Sequence, residues 1–471
     1  MTGCAEGFVC AYDANNSSNI HSRYCAKINP WDDSVPDRIP RYQLCSLPPR
    51  ALQRVYGLPV VINNNEEEEE ENTTNNTNNT NTNTDNHHDK TTKTALPQFA
   101  YLSTMGALDE TSDHETLVQQ KKVQTIIIMV HGSGMNADDY LCTTSAAIPR
   151  QQQQQHHYAS SPSPDTVLVI APWFVAPYAQ AGPVSLYHKP HVDALRWHDQ
   201  QGPIYHTWRY GAPAMNHANV SSYAAMDAMI DGILQDAPVR FPVLQRIVVA
   251  GHSAGGQYTQ RWALLSASRG FADKNHDNGK NHDNTVEAPE KQRHGPLRPI
   301  SLRVVVANPK SFCFLDNRRF VNGTFTVPNP EDIGNCTEYN HWQWGLERAA
   351  DHDFLPTPYK DQAIAHAGGV SAIRRRYAAR DVVYLAGELD ILPNGNCMDR
   401  LQGPYRRQRS EHFMASLHHL FGRPVHHRLV VTGVYHNHAL MFQSPEGQMA
   451  LFGSWLDTAP GMNETVASES L

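Results

Sequence analysis

Short, uniformly apolar runs rich in Val, Ile and Leu recur along the chain, and most lead through a polar loop into a stretch with helical spacing. Residues 123–130, 166–171, 247–250, 301–307, 382–386 and 428–431 form such runs and predict buried strands, with a further strand over 98–102. Helices are expected over 136–148, 221–234, 257–265, 360–378, 412–420 and 439–456. In 221–234 the side chains of Ala225, Met226, Met229, Ile230 and Ile233 fall on one helical face. Strands that alternate with helices and cross over in one sense give a mainly parallel sheet with helices on both faces, an α/β fold. Functional groups should then gather on loops at the carboxyl ends of the strands.

Several stretches break this alternation. Residues 63–94, with the Glu66–Glu71 run and the Asn/Thr repeats, cannot bury enough apolar surface to fold and read as a linker. His87 and His88 inside it are solvated linker residues. The Gln-rich run at 151–155 and the polar stretch 272–298, with its echo of Asn275-His-Asp-Asn and Asn281-His-Asp-Asn, read as surface insertions. Residues 308–357 hold aromatics and two cysteines without clear periodicity, and are expected to form a cap. Residues 1–62 carry Cys4, Cys10, Cys25 and Cys45 and read as a disulfide-stapled entry segment. The expected organisation is that segment, the linker, a domain over 95–460 and a tail over 461–471.

A net charge of −8 offers no nucleic-acid surface. The apolar runs are far too short for a transmembrane segment. No signal peptide is visible in the first twenty residues, yet the clustered cysteines and the N-x-S/T acceptors at Asn15, Asn16, Asn219, Asn322, Asn335 and Asn463 favour a secreted or lumenal glycoprotein. A cytoplasmic chain is the alternative.

The stretch with most chemistry is Gly251-His-Ser253-Ala-Gly255, a G-x-S-x-G turn between the 247–250 strand and the 257–265 helix. Such a turn holds its serine in a strained conformation, and glycines two residues either side remove the Cβ atoms that would collide with strand and helix. A serine hydroxyl needs an imidazole to take its proton, and the imidazole needs a carboxylate to orient it. After the 382–386 strand come Gly387, Glu388 and Asp390. Asp390 is the candidate acid, with Glu388 as rival and Asp381 and Asp399 as weaker choices. Past the last strand, His436 is preferred to His438 as base because it lies nearer the strand end. The two histidines are not joined by a cysteine or carboxylate group that would complete a metal site, so neither metal nor cofactor is expected.

The order Ser253, Asp390, His436 is that of the α/β-hydrolases. The chain resembles that superfamily, in its serine esterase and lipase-like branch, over about residues 96–460. The resemblance rests on Gly251-His-Ser-Ala-Gly255, His131-Gly-Ser-Gly134, Gly387-x-x-Asp390 and His436. It implies an oxyanion site between the backbone N–H groups of Ala254 and Ser133, with His131 supporting the loop from below. The chain departs from a plain hydrolase core in its N-terminal segment, linker and cap. Within the cap, Cys313 and Cys336 are expected to pair, leaving Cys142 and Cys397 as the next pair.

Trp173, Phe174, Trp197, Tyr205, Trp208, Tyr210, Trp342 and Trp344 follow the 166–171 and 301–307 strands; they would line an acyl pocket or pack the cap. The resulting expectation is a serine hydrolase acting on a small-molecule carboxylic ester through an acyl-enzyme. Alternatives are a peptidase or polymer-directed hydrolase on the same triad, or a non-catalytic binding protein on the same scaffold.

Overall fold

The computed structural model describes residues 55–60, 96–109, 111–149, 162–176, 193–198, 207–271, 299–347 and 358–453, together with the backbone of 8–12 and 23–27. The linker, the Gln-rich run, the 272–298 insertion, the tail, Tyr205 and the four N-terminal cysteines lie outside the described side chains. Near the start, β1 (Phe8–Tyr12) and β2 (Arg23–Lys27) form an antiparallel pair with Cys10 opposite Cys25 in register.

The central sheet has eight strands. They are β3 (Tyr56–Pro59), β4 (Gln98–Ser103), β5 (Thr125–Val130), β6 (Val167–Pro172), β7 (Arg246–His252), β8 (Ser301–Ala307), β11 (Asp381–Gly387) and β12 (His427–Val431). Their order is β12-β11-β8-β7-β5-β6-β4-β3. The pairs from β12 to β6 are parallel, whereas β4 runs antiparallel to both β6 and β3. The expected strands are all present, with ends that differ by one or two residues. The strand at Tyr56–Pro59 has no matching expectation; only four residues long and split by Gly57, it has too little β-branched character to be read from pattern.

Alternation along the parallel strands explains their unbroken apolar runs. Ile126, Ile128, Ile247, Val249, Val304 and Val306 enter one core, while Ile127, Met129, Val248, Ala250, Val305 and Ala307 enter another on the opposite face. The first core is covered by α3 (Ser222–Arg240) and α4 (Ala254–Leu265), through Met226, Met229, Ile230, Tyr258 and Trp262. The second is covered by α2 (Ala137–Ala146), α10 (His438–Gln443) and α11 (Pro445–Phe452). With α1 (His114–Gln120) at the rim, this is an α/β-hydrolase-like fold carrying a cap insertion. No helix among the described residues is long and apolar enough to cross a membrane.

Helix boundaries moved where local chemistry intervened. The Ser221 hydroxyl caps α3 by accepting from the Ala224 N–H (3.0 Å), and α3 continues through Pro238 because Ala237 still packs into the core. The helix expected over 360–378 is two, α6 (Pro358–His366) and α7 (Val370–Ala378), parted by Gly368 and Gly369 at φ 84° and 100°. The last expected helix likewise restarts at Pro445, which follows the cap residue Ser444.

The cap carries only a short hairpin, β9 (Arg319–Val321) with β10 (Thr324–Thr326), and one turn of helix, α5 (Pro330–Ile333). Its irregular backbone is held by buried arginines. Arg319 donates to the Asp316, Arg318, Tyr339 and Trp344 carbonyls, and Arg261 donates to Gln343, Gln257 and Ser311 oxygens. Carbonyls that would otherwise be buried without partners are thus satisfied by side chains rather than by ladders. That is why the segment shows no periodicity.

The expected cysteine pairing is corrected. Cys336 is bonded to Cys397 in α8 (Cys397–Arg400), closing 61 residues of chain, and Cys142 is also disulfide-bonded. Cys313 is the free, buried thiol, and burial pushes it up to about 11. The physical reason is direction. Cys313 enters the core, where its N–H donates to Gln260 Oε1 (3.0 Å), while the cap folds forward onto the loop that follows β11 instead of back on itself. In the chain-entropy account a loop of that length is worth about 4 kcal/mol.

Asp227 ties α3 to α4. It accepts from Trp262 Nε1 (2.8 Å), Ser266 Oγ (2.6 Å) and the Tyr359 hydroxyl, with Asp231 and Arg380 as charged neighbours. Burial outweighs those three donors and pushes its carboxyl up to about 6. A carboxyl raised in the folded state favours the fold only while protonated, so its contribution is present at low pH and lost as the pH rises through about 6. The stability of Asp227→Asn relative to wild type, from urea melts at about pH 5 and about pH 8, should therefore shift in the variant's favour at the higher pH. A difference independent of pH would contradict this.

Candidate active site

Ser253 occupies the turn between β7 and α4 at φ 58° and ψ −114°, outside the regions a side chain ordinarily adopts. Its N–H donates to the Ala307 carbonyl at the end of β8 (3.0 Å). The flanking glycines are required by contact. A Cβ on Gly251 would meet the Gly255 carbonyl, and one on Gly255 would meet the Val130 and His131 carbonyls. A Cβ on Gly256 would lie 2.5 Å from the Ala307 oxygen. The helix can therefore sit tightly across the strand ends only with hydrogen at these positions.

The structure brings three of the sequence-expected side chains together. Ser253 Oγ lies 2.8 Å from His436 Nε2, and His436 Nδ1 lies 2.8 Å from Asp390 Oδ2. Asp390 is 2 % exposed. Burial alone would raise its carboxyl, but His436 and then Arg406, 3.4 Å from Oδ1, hold it down to about 2. An ionised Asp390 only accepts, so His436 Nδ1 donates to it and Nε2 is left to accept the serine proton.

The rivals are elsewhere. Glu388 accepts from the Gly433 N–H (2.8 Å), while the carboxylate bonded to His436 is that of Asp390. Asp381 pairs with Arg303 (2.8 Å) at the other end of β11. Asp399 lies within α8, where its carboxylate accepts from the Asn396 N–H (3.1 Å) and from Trp344 Nε1 (2.7 Å). His438 is buried, stacked on the Tyr140 ring at 4.0 Å, with its Nε2 3.6 Å from Asp139.

The loop after β5 runs beside Ser253. A Cβ on Gly132 would lie 3.8 Å from Ser253 Cβ and 2.8 Å from the Tyr140 hydroxyl. His131 is fully buried under this loop. Its Nε2 accepts from the Phe174 N–H (3.1 Å), which leaves Nδ1 to donate to the Gly132 carbonyl (2.8 Å). Burial pushes the ring down to about 4, so it stays neutral. Ser133 and Ala254, the expected oxyanion donors, stand at the first turn position after β5 and at the start of α4 respectively.

Beneath His436 lies an aromatic layer. The buried His252 ring is 4.6 Å from the His436 ring, with Nδ1 3.2 Å from the Tyr140 hydroxyl. Burial, and then the neighbouring His436 and His438, hold it well below the usual imidazole range. This neutral floor supports the His436 ring without adding charge.

Two groups at the site were not anticipated from sequence. Arg406 reaches Asp390 from α9 (Arg406–Phe421), a contact without any sequence signal. Asn308, directly after β8, bonds both the Gly387 N–H (2.8 Å) and the Tyr435 carbonyl (3.1 Å). Its place at a strand's carboxyl end was the available signal. Of the two alternatives for the aromatics, packing against one another and the cap is what the described ones show. Phe174 stacks on Trp208 at 4.6 Å, and Trp342 Nε1 donates to the Tyr210 carbonyl (3.0 Å). Among the described residues no group of three or more His, Cys, Asp or Glu is placed to hold a metal ion.

No protein-family model matches the sequence, and no curated protein matches it. Among solved structures, the chain is similar to LpqC, a poly(3-hydroxybutyrate) depolymerase from Bordetella parapertussis, at 16 % identity and a TM-score of 0.38, over 75 % of this chain and 81 % of that one. Poly(aspartic acid) hydrolase-1 from Sphingomonas sp. KT-1 is similar at 15 % identity and a TM-score of 0.40, over 75 % and 93 % of the two chains. The siderophore hydrolase EstB from Aspergillus nidulans follows at 14 % and 0.32, over 76 % and 92 %. At these scores the likeness assigns neither a substrate nor residue roles to this chain.

Two glycines separate close approach from ordinary helix propensity. Gly255→Ala forces carbonyl contacts apart and should lower stability by about 1–3 kcal/mol or more. Gly232→Ala, inside α3 with open space at its Cβ, should raise stability by about 0.5–1 kcal/mol. Chemical denaturation of both variants checks the pair; a neutral Gly255→Ala would contradict the geometry of the turn.

Proposed function

We propose that the chain is a serine hydrolase that cleaves carboxylic esters through an acyl-enzyme, with Ser253 as nucleophile, His436 as base and then acid, and Asp390 as its orienting carboxylate. The observation that carries this reading is the unbroken hydrogen-bond relay from Ser253 Oγ through both nitrogens of His436 to Asp390. In the first step Ser253 Oγ bonds to the ester carbonyl carbon while its proton passes to His436 Nε2, and Asp390 stabilises the imidazolium. The tetrahedral oxyanion would rest on the N–H groups of Ala254 and Ser133, each donor worth about 3 kcal/mol of barrier. His436 then returns the proton to the leaving alkoxide. Water then gives a proton to the same nitrogen as it attacks the acyl carbon, the bond from that carbon to Ser253 Oγ breaks, and His436 passes the proton to Oγ, which regenerates the serine and releases the acid.

Secretion or residence in a lumenal, oxidising compartment is supported by the disulfides at Cys142 and Cys336–Cys397.

A fluorophosphonate probe should label Ser253, and Ser253→Ala should abolish labelling and lower p-nitrophenyl ester turnover by about a millionfold. Asp390→Asn should lower turnover by about ten-thousandfold, whereas Glu388→Gln, which still accepts from Gly433, should leave it unchanged. Labelling that survives Ser253→Ala, or a larger loss from Glu388→Gln than from Asp390→Asn, would overturn the assignment. Peptide cleavage without ester cleavage would favour the peptidase reading.

A further inference from the structure

The acid and the base stand on separate loops, after β11 and β12, and a relay with 2.8 Å contacts at both ends requires those loops to be held in fixed relation. Asn308 sits between them. It is 2 % exposed and adopts φ 42°, in the left-handed region that asparagine enters more readily than most residues with a side chain. Its N–H donates to the Leu385 carbonyl within β11 (3.0 Å). Oδ1 accepts from the Gly387 N–H (2.8 Å), three residues before Asp390, and Nδ2 donates to the Tyr435 carbonyl (3.1 Å), adjacent to His436. These two bonds assign the amide orientation, because the opposite flip would face donor to donor and acceptor to acceptor.

The neighbouring backbone is shaped for the same contact. A Cβ on Gly387 would lie 2.5 Å from the Val434 oxygen and 2.6 Å from the Tyr435 oxygen. The Leu389 N–H donates to the Val434 carbonyl (2.9 Å). The acid loop and the histidine loop therefore touch through main chain at Gly387, and the Asn308 amide is bonded to both at that point.

We propose that Asn308 is a positioning residue for the hydrolytic site, a clasp that sets Asp390 and His436 in register without touching substrate. This rests on the serine-hydrolase reading above. Opening the clasp lets the imidazole drift from the serine while the substrate-binding surface stays intact. Such a loss appears in kcat and not in KM.

The test uses the full chain and the p-nitrophenyl ester assay. Asn308→Gly keeps the left-handed turn without strain and removes only the clasp; kcat should fall by about tenfold to a hundredfold while KM moves by less than about twofold. Fluorophosphonate labelling of Ser253 should slow in proportion. Asn308→Asp keeps the acceptor for Gly387 but sets an oxygen against the Tyr435 carbonyl, so it should lower kcat as well. Circular dichroism at the assay temperature verifies that each variant is folded. If folded Asn308→Gly keeps wild-type kcat, or loses only KM, the clasp is refuted; if Asn308→Asp is as active as wild type, the Tyr435 arm is refuted. Absence of turnover and of Ser253 labelling in the wild-type chain would instead refute the hydrolase reading itself.

Discussion

The arrangement depends on one tight contact, the crossing of α4 over the ends of β5, β7 and β8. Three glycines allow helix and strand backbones to approach within carbonyl contact, and the residue between them is forced to positive φ. A strained serine is unfavourable by itself, of order 1–3 kcal/mol. It persists because the apolar run of β7 and the wholly buried α4 anchor both ends of the turn in the core. Stability is thus exchanged for a hydroxyl lifted clear of the sheet, and every other polar group at the site is placed relative to it.

From that turn outward, the sheet converts strand order into chemistry. β7 lies between β5 and β8, so the loop bearing Gly132 and the residue Asn308 arrive on either side of Ser253. β11 and β12 follow outward on the β8 side, carrying the carboxylate and the imidazole. Charge is handled economically. Asp390 is ionised and paired, whereas His131 and His252 are kept neutral by burial, so the candidate base faces one opposing charge instead of a cluster of competing ones. The cap then reaches back over this end, pinned to the acid side of the sheet by Cys336–Cys397 and the Trp344–Asp399 hydrogen bond.

What could be read in the sequence was what repeats or is locally dictated. Unbroken apolar runs gave the parallel strands because both faces of β5 to β11 are buried, and the G-x-S-x-G spacing located the turn because steric contact leaves no other residue type. Ser253, Asp390 and His436 were legible as candidates since each follows a recognisable strand. Interactions between distant, aperiodic segments were not. Nothing in the cap's pattern announces that Arg261 and Arg319 will satisfy its carbonyls, and Cys313 could not be told from Cys336 without knowing which one enters the core. The Tyr56–Pro59 edge strand escaped because four residues with a glycine carry too weak a pattern, and Arg406 because a contact across sixteen residues on a helix start leaves no trace.

A serine hydrolase with Ser253 as nucleophile must bond that residue to the acyl group of an ester during turnover. Acid-quenching the protein within its first turnovers on p-nitrophenyl acetate, followed by peptide mass mapping, measures this directly. An acetyl increment is expected on the peptide that contains Ser253, absent in Ser253→Ala. Sustained ester turnover with that peptide unmodified and the acetyl group on another side chain would contradict it.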